Sequence, residues 1–269
     1  MRVIAIDWSG DARMARRHIW LAEASRPGRL VRLEGGRDRH EVGDHLAHPA
    51  STDLVIGFDF AFSFPAWFLD RLGVDTAREL WAHVAQHGEG WLIACEPPFW
   101  GHPGRPRPPQ AQPALRRTDL AVPRTAGVAP KSIFQIGGAG AVGTGSIRGM
   151  PLLHQLHALG HRIWPYSDGD GRASQATIVE IYPRLMTGAV RKSSPAARAD
   201  LLERRYPDLH PEHRHLAVGS EDAFDAAVSA LVMVEHTADL AKLPRETNSV
   251  LRREGRIWHP GWRQDQLTP

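Results

Sequence analysis

The sequence contains almost no cysteine and no long apolar run. Cys95 is the single cysteine among 269 residues, which excludes an intramolecular disulfide. No apolar run reaches the length of a membrane-spanning helix, and no charged-then-apolar leader is seen. These features predict a protein of the reducing cytoplasm with no membrane partner.

The signatures of several enzyme classes are also missing. The 15 histidines form neither an H-E-x-x-H motif nor a Cys/His pattern with the spacing of zinc ligands. There is no G-x-S-x-G motif, and Cys95 lies inside an apolar run, which indicates packing rather than nucleophilic chemistry. A zinc enzyme and a serine or cysteine hydrolase are therefore not supported.

The charge of the chain permits a polyanionic partner. The 33 basic residues are nearly all arginine, although the formal net charge is only +3. Arginine is well suited to phosphate contacts, so nucleic acid or a nucleotide is a reasonable substrate class. The hydrophobic content of 42% is enough for one large α/β domain.

Apolar runs near the start predict a short antiparallel meander. Turn-rich segments separate predicted strands at residues 3–7, 18–24 and 29–34. A polar helix over 39–47 then leads to residues 54–59, a continuous apolar run typical of a strand that is buried on both faces. The remaining predicted elements are helices over 65–73, 75–86, 147–159, 194–206 and 220–236, strands over 91–95, 161–165 and 177–183, and a solvated loop over 210–215.

A proline-rich segment interrupts this pattern at residues 96–131. Between residues 101 and 131 it carries six Arg or Lys side chains against one Asp. A loop of this length in a compact domain is usually functional or disordered. We interpret it as an insertion in a single domain over residues 1–240, followed by a C-terminal extension over 241–269.

Four aspartates lie where elements of this pattern meet. Asp7 and Asp59 each end an apolar strand, and Asp222 and Asp225 lie in the first turns of a late, small-residue-rich helix. A meander, a helix, a fourth strand parallel to the first and a late helix describe the ribonuclease H-like order, in which such acids converge. Two divalent cations about 4 Å apart need an oxygen-rich cluster of this kind.

Several motifs carry a family resemblance that covers most of the chain, from Val3 to about Val234. IDWSG, IGFDFAFSFP, KSIFQIGGAGAVGTGSIRGMPLL, VEIYP and EDAFDAAVSALV resemble the bacterial family called domain of unknown function 429, predicted ribonuclease H-like nucleases. The last helix is also similar to that of Holliday-junction resolvases, whose Asp pair at i, i+3 maps onto Asp222 and Asp225. The resemblance implies a mixed five-stranded sheet flanked by helices.

The resemblance also implies a set of site residues. Asp7, Asp59 and Asp225 would hold Mg²⁺ or Mn²⁺, with Asp222 or Glu180 completing the catalytic set. The family motif centres on the Glu-x-Tyr-Pro pattern that Glu180 begins, which favours the cleft. An ion pair with one of the many arginines is the alternative for this side chain.

A glycine-rich segment supplies candidate phosphate contacts. GGAGAVG contains Gly138-x-Gly140-x-x-Gly143 before a predicted helix, but the chain opens with a meander and lacks the acid of a dinucleotide-binding unit. Backbone amides at a helix start can still hold a phosphate. The candidate phosphate-binding residues are Lys131, Gly138, Gly140 and Arg148, with Arg116 and Arg117 from the insertion; a loop packed under the insertion is an equally good interpretation.

These observations favour a metal-dependent phosphodiester hydrolase. Two alternatives stay open. An actin-like or sugar-kinase-like phosphotransferase or ATPase would use the same Asp7 strand end on a Mg²⁺-nucleotide, and a catalytically inert module would bind nucleic acid or protein. The first alternative normally needs a second phosphate loop after a strand, whereas the DGDG segment at residues 168–171 precedes its strand.

Overall fold

The computed structural model describes residues 1–49, 51–109, 112–125, 127–166 and 175–262. The DGDG segment at 168–171 and the last seven residues of the C-terminal extension lie outside the described residues. Everything said below about the structure concerns the described ranges.

The chain is an α/β protein with one mixed sheet of seven strands. The strands are β1 (Arg2–Asp7), β2 (Trp20–Ser25), β3 (Arg29–Gly35), β4 (Leu54–Phe58), β5 (Arg162–Ile163), β6 (Thr177–Ile181) and β7 (Ile257–Trp258). Their order is β3-β2-β1-β4-β6-β5, and β7 pairs with the end of β6. The pairs β1–β2 and β2–β3 are antiparallel, whereas β1–β4, β4–β6, β5–β6 and β6–β7 are parallel.

The expected meander and parallel fourth strand are present, but the prediction of five strands is wrong. Two short strands extend the sheet beside β6. One of them, β5, lies in the apolar HRIWP segment, and the other, β7, comes from the C-terminal extension. The sequence predicts β5 within the strand at 161–165, whereas it gives no sign of β7, because a two-residue strand carries too little periodicity to be recognised.

Helices flank both faces of the sheet. They are α1 (Ala15–His18), α2 (Arg39–Ala47), α3 (Ala66–Leu72), α4 (Ala77–Ala94), α5 (Arg117–Ala121), α6 (Gly143–Ala158), α7 (Arg184–Thr187), α8 (Pro195–Arg205), α9 (Pro211–Gly219), α10 (Glu221–Glu235), α11 (Thr237–Leu240) and α12 (Leu251–Glu254).

Two local predictions are wrong. Residues 91–95, predicted as a strand, form the last turn of α4 and its C-cap, because the helix begins with a Thr76–Glu79 capping box and carries an apolar stripe that includes Leu80, Val84 and Leu92. A five-residue apolar run does not distinguish a strand from a buried helical turn. Residues 210–215, predicted as a solvated loop, cap and begin α9, which His210 precedes and Pro211 starts.

Alternation along the strands divides the core into two layers. Ile4 and Ile6 of β1 pack into the layer that contains α4 and α6, whereas Val3 and Ala5 pack into the layer that contains α10. Asp7 continues the second series, since side chains alternate in a strand. The strand end therefore directs Asp7 toward α10.

Close packing of α10 on the sheet requires a small residue in β4. A Cβ atom at Gly57 would lie 2.8 Å from the Sδ atom of Met233 in α10 and 3.0 Å from the Cγ2 atom of Ile181. We expect Gly57→Ala to lower the free energy of unfolding by about 1–3 kcal/mol, because overpacking forces neighbouring side chains to shift. Urea denaturation measures this loss.

The matched control is Gly90→Ala in α4, where nothing lies within 4 Å of the added Cβ atom. This substitution should raise the free energy of unfolding by about 0.5–1 kcal/mol, because alanine favours a helix interior. Equal stability of Gly57→Ala and the wild type would contradict the close approach of α10 to β4.

Candidate active site at the strand ends

Asp7 and Asp59 stand side by side at the ends of two parallel strands. Ile6 of β1 pairs with Phe58 of β4, and the Asp59 amide donates to the Ile6 carbonyl oxygen at 3.1 Å. Each aspartate is the next residue beyond this pair, so backbone hydrogen bonding fixes their separation. Both continue the strand positions that face α10, since Val55 packs in the same layer as Val3 and Ala5.

Helix α10 brings Asp225 to the same place. The helix begins after Ser220, whose Oγ atom accepts from the Ala223 amide at 3.3 Å. It packs on β1 and β2, and the small side chains of its buried face are Ala223, Ala226, Ala227 and Ala230. Asp225 is only 6% exposed, and its buried Oδ1 atom has no hydrogen-bond partner among the described residues.

A lysine that sequence reasoning missed enters this cluster. The Lys192 ammonium forms an ion pair with the Oδ2 atom of Asp225 and is also close enough to Asp59 and Asp7 to interact with their charges. Lys192 lies in the segment between α7 and α8. The sequence gives only a weak indication of this role. Lysine is rare, with three among the many arginines, but no motif connects Lys192 to the acids.

The acids disfavour one another's charge. Burial raises the pKa of Asp7 well above its ordinary value, and the charges of Asp225 and Asp59 raise it further. Burial and the Asp225 charge raise the pKa of Asp59 to about 7. The pKa of Asp225 is also raised by burial, while the Lys192 ammonium opposes the shift. In the absence of a further cation, burial and mutual repulsion therefore disfavour the ionised form of these acids.

Asp222 lies at the rim of this cluster. Its Oδ2 atom is 2.9 Å from the Nδ1 atom of His18, and one third of its side chain is exposed. Its charge contributes to the raised pKa of both Asp7 and Asp59. The structure thus places Asp222 near the other acids, with a partner of its own.

Glu180 belongs to a different network on the other face of the sheet. It lies opposite Phe58 on β4 and follows Val179, which packs toward α10, so Glu180 points away from α10. Its Oε1 atom accepts from the Arg116 guanidinium at 2.5 Å, and its Oε2 atom accepts from the Phe62 amide at 2.9 Å. Glu180 is therefore a buried ion-pair partner of an arginine, which is the alternative that the sequence left open, and its charge also contributes to the raised pKa of Asp59.

Arg116 is the buried cationic partner of Glu180, which corrects the expectation that Arg116 contacts a phosphate. Its guanidinium also pairs with Asp119 at 2.7 Å, and the residue is only 1% exposed. Arg117, the next residue, has an exposed side chain and donates its backbone amide to a Glu254 carboxylate oxygen at 2.5 Å. Of two consecutive arginines in the proline-rich segment at 96–131, the first is therefore buried and the second is exposed.

Arg148 also makes its contacts within the protein. Its Nε atom donates to Glu89 at 2.7 Å, and its guanidinium also donates to the Gly10 carbonyl oxygen, which holds the loop after β1. The Trp8 indole fixes the same loop by donating to the Gly145 carbonyl oxygen at 3.0 Å. The prediction of a phosphate contact is replaced by this structural role.

Lys131 and the glycine-rich segment do come together. The Lys131 ammonium donates to the Ala139 carbonyl oxygen at 3.3 Å and lies where a side chain at Gly140 would collide with it. Gly138 and Gly140 both have positive φ, 75° and 73°, which favours glycine at these positions. Both residues and Lys131 are exposed.

A cavity of about 410 Å³ joins this segment to the acids. Asp59 lies in its wall, together with aromatic rings from Trp8, Phe60 and Tyr182. Lys131 and the first residues of α6 form another side, and the Arg116–Glu180 network contributes to the lining. The cavity is mostly apolar with a few convergent polar groups, which is typical of a small-molecule or cofactor site.

The ion pair between Glu180 and Arg116 leads to a prediction about the free energy of unfolding. Glu180→Gln should lower the free energy of unfolding by about 1–3 kcal/mol, because it removes charge-assisted hydrogen bonds from the buried Arg116 guanidinium, which keeps its ion pair with Asp119. Urea denaturation at pH 7 with a chelator present measures the effect. Glu203→Gln on the exposed side of α8 is the control and should change little. A more stable Glu180→Gln protein would place Glu180 among mutually repelling acids.

Asp59→Asn should have the opposite effect. The folded protein holds a proton on Asp59 up to about pH 7, whereas the unfolded chain releases it near pH 3.9. This group therefore lowers the free energy of unfolding as pH rises from 4 to 7, and its penalty is complete above 7. We expect metal-free Asp59→Asn to be more stable by roughly 1–3 kcal/mol at pH 8, with a flatter dependence between pH 4 and 7.

Denaturation at a series of pH values, with a chelator present, tests this prediction. Asp208→Asn, which removes the same charge from an exposed position, should follow the wild-type curve. A loss of stability in Asp59→Asn at pH 8 would show that Asp59 makes a favourable ionic contact.

Comparison with known proteins adds no identification. No family model, curated protein or solved structure matches the chain. Among the described residues, no helix has the length and apolar character needed to cross a membrane. In the same residues, no group of three or more His, Cys, Asp or Glu side chains that could hold a metal ion is found.

Proposed function

We propose that this protein is a divalent-cation-dependent phosphodiester hydrolase with a ribonuclease H-like arrangement of its sheet. The observation that carries the proposal is the convergence of Asp7, Asp59 and Asp225 from two parallel strands and one helix. Among the described residues, Asp7 and Asp59 have no ion pair, and burial together with the Asp225 charge raises the pKa of both. Clustered groups of this kind are typical of functional sites.

The chemistry of the acids fits Mg²⁺ or Mn²⁺. These ions prefer oxygen ligands, and the cluster offers carboxylate oxygens, including the buried Oδ1 atom of Asp225 that has no hydrogen-bond partner in the described part of the chain. Asp7 and Asp59 would hold the ion, with Asp225 beside them. A bound divalent cation supplies an activated water and stabilises developing negative charge on a phosphodiester.

The strand order supports the ribonuclease H-like arrangement. A meander of β1, β2 and β3 is followed by β4 parallel to β1, and α10 packs on the meander. This order agrees with the motifs that resemble the domain of unknown function 429. The resemblance and the topology are separate observations, since one rests on short motifs and the other on strand pairing.

The cavity and the insertion support a nucleic acid or nucleotide substrate. The partly exposed Tyr182 ring in the cavity wall offers a stacking surface beside Asp59, and Lys131 lies at the edge of the cavity. The insertion carries further exposed arginines, at positions Arg105, Arg107, Arg117 and Arg124. Of the exposed basic side chains, Lys131 lines the cavity and provides a contact for a phosphate that lies outside the reacting position.

Substitution of the strand-end acids tests the proposal. We expect Asp7→Asn and Asp59→Asn to lower Mg²⁺- or Mn²⁺-dependent cleavage at least about 100-fold while the protein stays folded, because each removes a direct ligand. Asp225→Asn should also lose activity, and Asp222→Asn should lose less, since Asp222 pairs with His18 at the rim.

The measurement is cleavage of labelled single- and double-stranded DNA and RNA, with circular dichroism as the folding control and Asp208→Asn as the charge control. Full activity in Asp59→Asn would contradict the proposed site. Hydrolysis of a nucleoside triphosphate without cleavage of any nucleic acid would instead favour the phosphotransferase alternative.

A further inference from the structure

Lys192 is held firmly in the acid cluster. The Arg198 guanidinium donates to the Lys192 carbonyl oxygen and, at 3.1 Å from its Nε atom, to the Val218 carbonyl oxygen. Arg198 is only 3% exposed, so this anchor is itself buried. The Lys192 side chain is 20% exposed and ends on Asp225, which is nearly inaccessible. The ammonium is therefore a built part of the site.

The charges of the cluster do not balance without a further cation. Asp7, Asp59 and Asp225 contribute three negative charges when ionised, and Lys192 offsets one. The other nearby cation, Arg184, donates to the carbonyl oxygens of Gly188 and Val190 and acts on Asp225 only through space. Two negative charges remain on the strand ends, which equals the charge of one divalent cation, while the Asp222 carboxylate at the rim, in contact with His18, adds a further negative charge.

The ion-pair partners of the three acids also indicate a single cation at the strand ends. Asp225 already has a cation on its Oδ2 atom, whereas Asp7 and Asp59 have no ion pair among the described residues. Mg²⁺ is commonly held by one or two carboxylates, with water and substrate phosphate completing its coordination. A pair of strand-end carboxylates meets that requirement without Asp225.

We propose that the Lys192 ammonium takes the place of a second divalent cation, so that this site binds one Mg²⁺ or Mn²⁺ ion through Asp7 and Asp59. This inference rests on the proposed function and specifies the cation stoichiometry of the same site. Lys192 is a positioning residue toward the ion, because it fixes Asp225 and supplies a permanent positive charge beside the two free carboxylates.

Counting bound Mn²⁺ tests the inference. Full-length protein freed of metal is titrated with Mn²⁺ at pH 8, and free Mn²⁺ is measured by electron paramagnetic resonance. Ions that bind elsewhere are subtracted with the Asp7→Asn/Asp59→Asn double variant. We expect one site-specific ion per chain in the wild type and two in Lys192→Gln, because the amide removes the positive charge and frees Asp225.

Lys242→Gln, at an exposed position, is the matched control and should still bind one ion. Metal-free Lys192→Gln should melt at a lower temperature than the wild type and gain more from added Mn²⁺, because its acids lack their internal cation. This shift reports on Lys192 independently of any catalytic activity.

The outcomes separate this inference from the proposed function. Two site-specific ions in the wild type, or one in Lys192→Gln, would overturn the role of Lys192 while leaving a cation-dependent enzyme in place. If wild type and the Asp7→Asn/Asp59→Asn variant bind the same number of ions, the metal site and the proposed function both fail. The wild-type count remains decisive if Lys192→Gln does not fold.

Discussion

Repulsion among three closely placed carboxylates, of which Asp225 is buried and Asp7 and Asp59 are partly buried, is the constraint on which the site depends. Asp7 and Asp59 cannot separate without breaking the β1–β4 pairing, because the Asp59 amide is bonded to the Ile6 carbonyl oxygen. Asp225 cannot withdraw unless α10 leaves the sheet, against which its small residues pack. The backbone thus holds like charges together at a cost in stability, and Lys192 offsets only part of that cost.

The alternation of side chains in β4 and β6 keeps this cluster apart from a second group of charges. Glu180 lies beside Phe58 in the sheet, yet its carboxylate is on the face opposite α10, where Arg116 and the Phe62 amide satisfy it. One face therefore carries a closed, fully bonded network, and the other carries acids with unused oxygens. The insertion contributes to this division, since it supplies Arg116 to the closed network.

The sequence allowed much of this arrangement to be predicted where local periodicity decides the outcome. The meander, the strand at β4 and the long α10 follow from apolar spacing, and the positions of Asp7 and Asp59 follow from the strand ends. The partner of Glu180 does not, because Arg116 lies 64 residues away and nothing local selects it among the basic residues. Lys192 was missed for the same reason: it precedes the Ser194 cap of α8 in a segment without regular periodicity.

In the proposed hydrolase, substrate binding itself requires a cation. The cavity reaches the acid cluster at Asp59, so a phosphodiester that enters there approaches carboxylates that one ammonium neutralises only in part. A phosphate would meet net negative charge in the metal-free protein, and Lys131 at the other side of the cavity attracts the substrate without removing that repulsion. A divalent ion on Asp7 and Asp59 would reverse the local sign. Cation and substrate therefore favour each other's binding, and by linkage the coupling is equal in both directions.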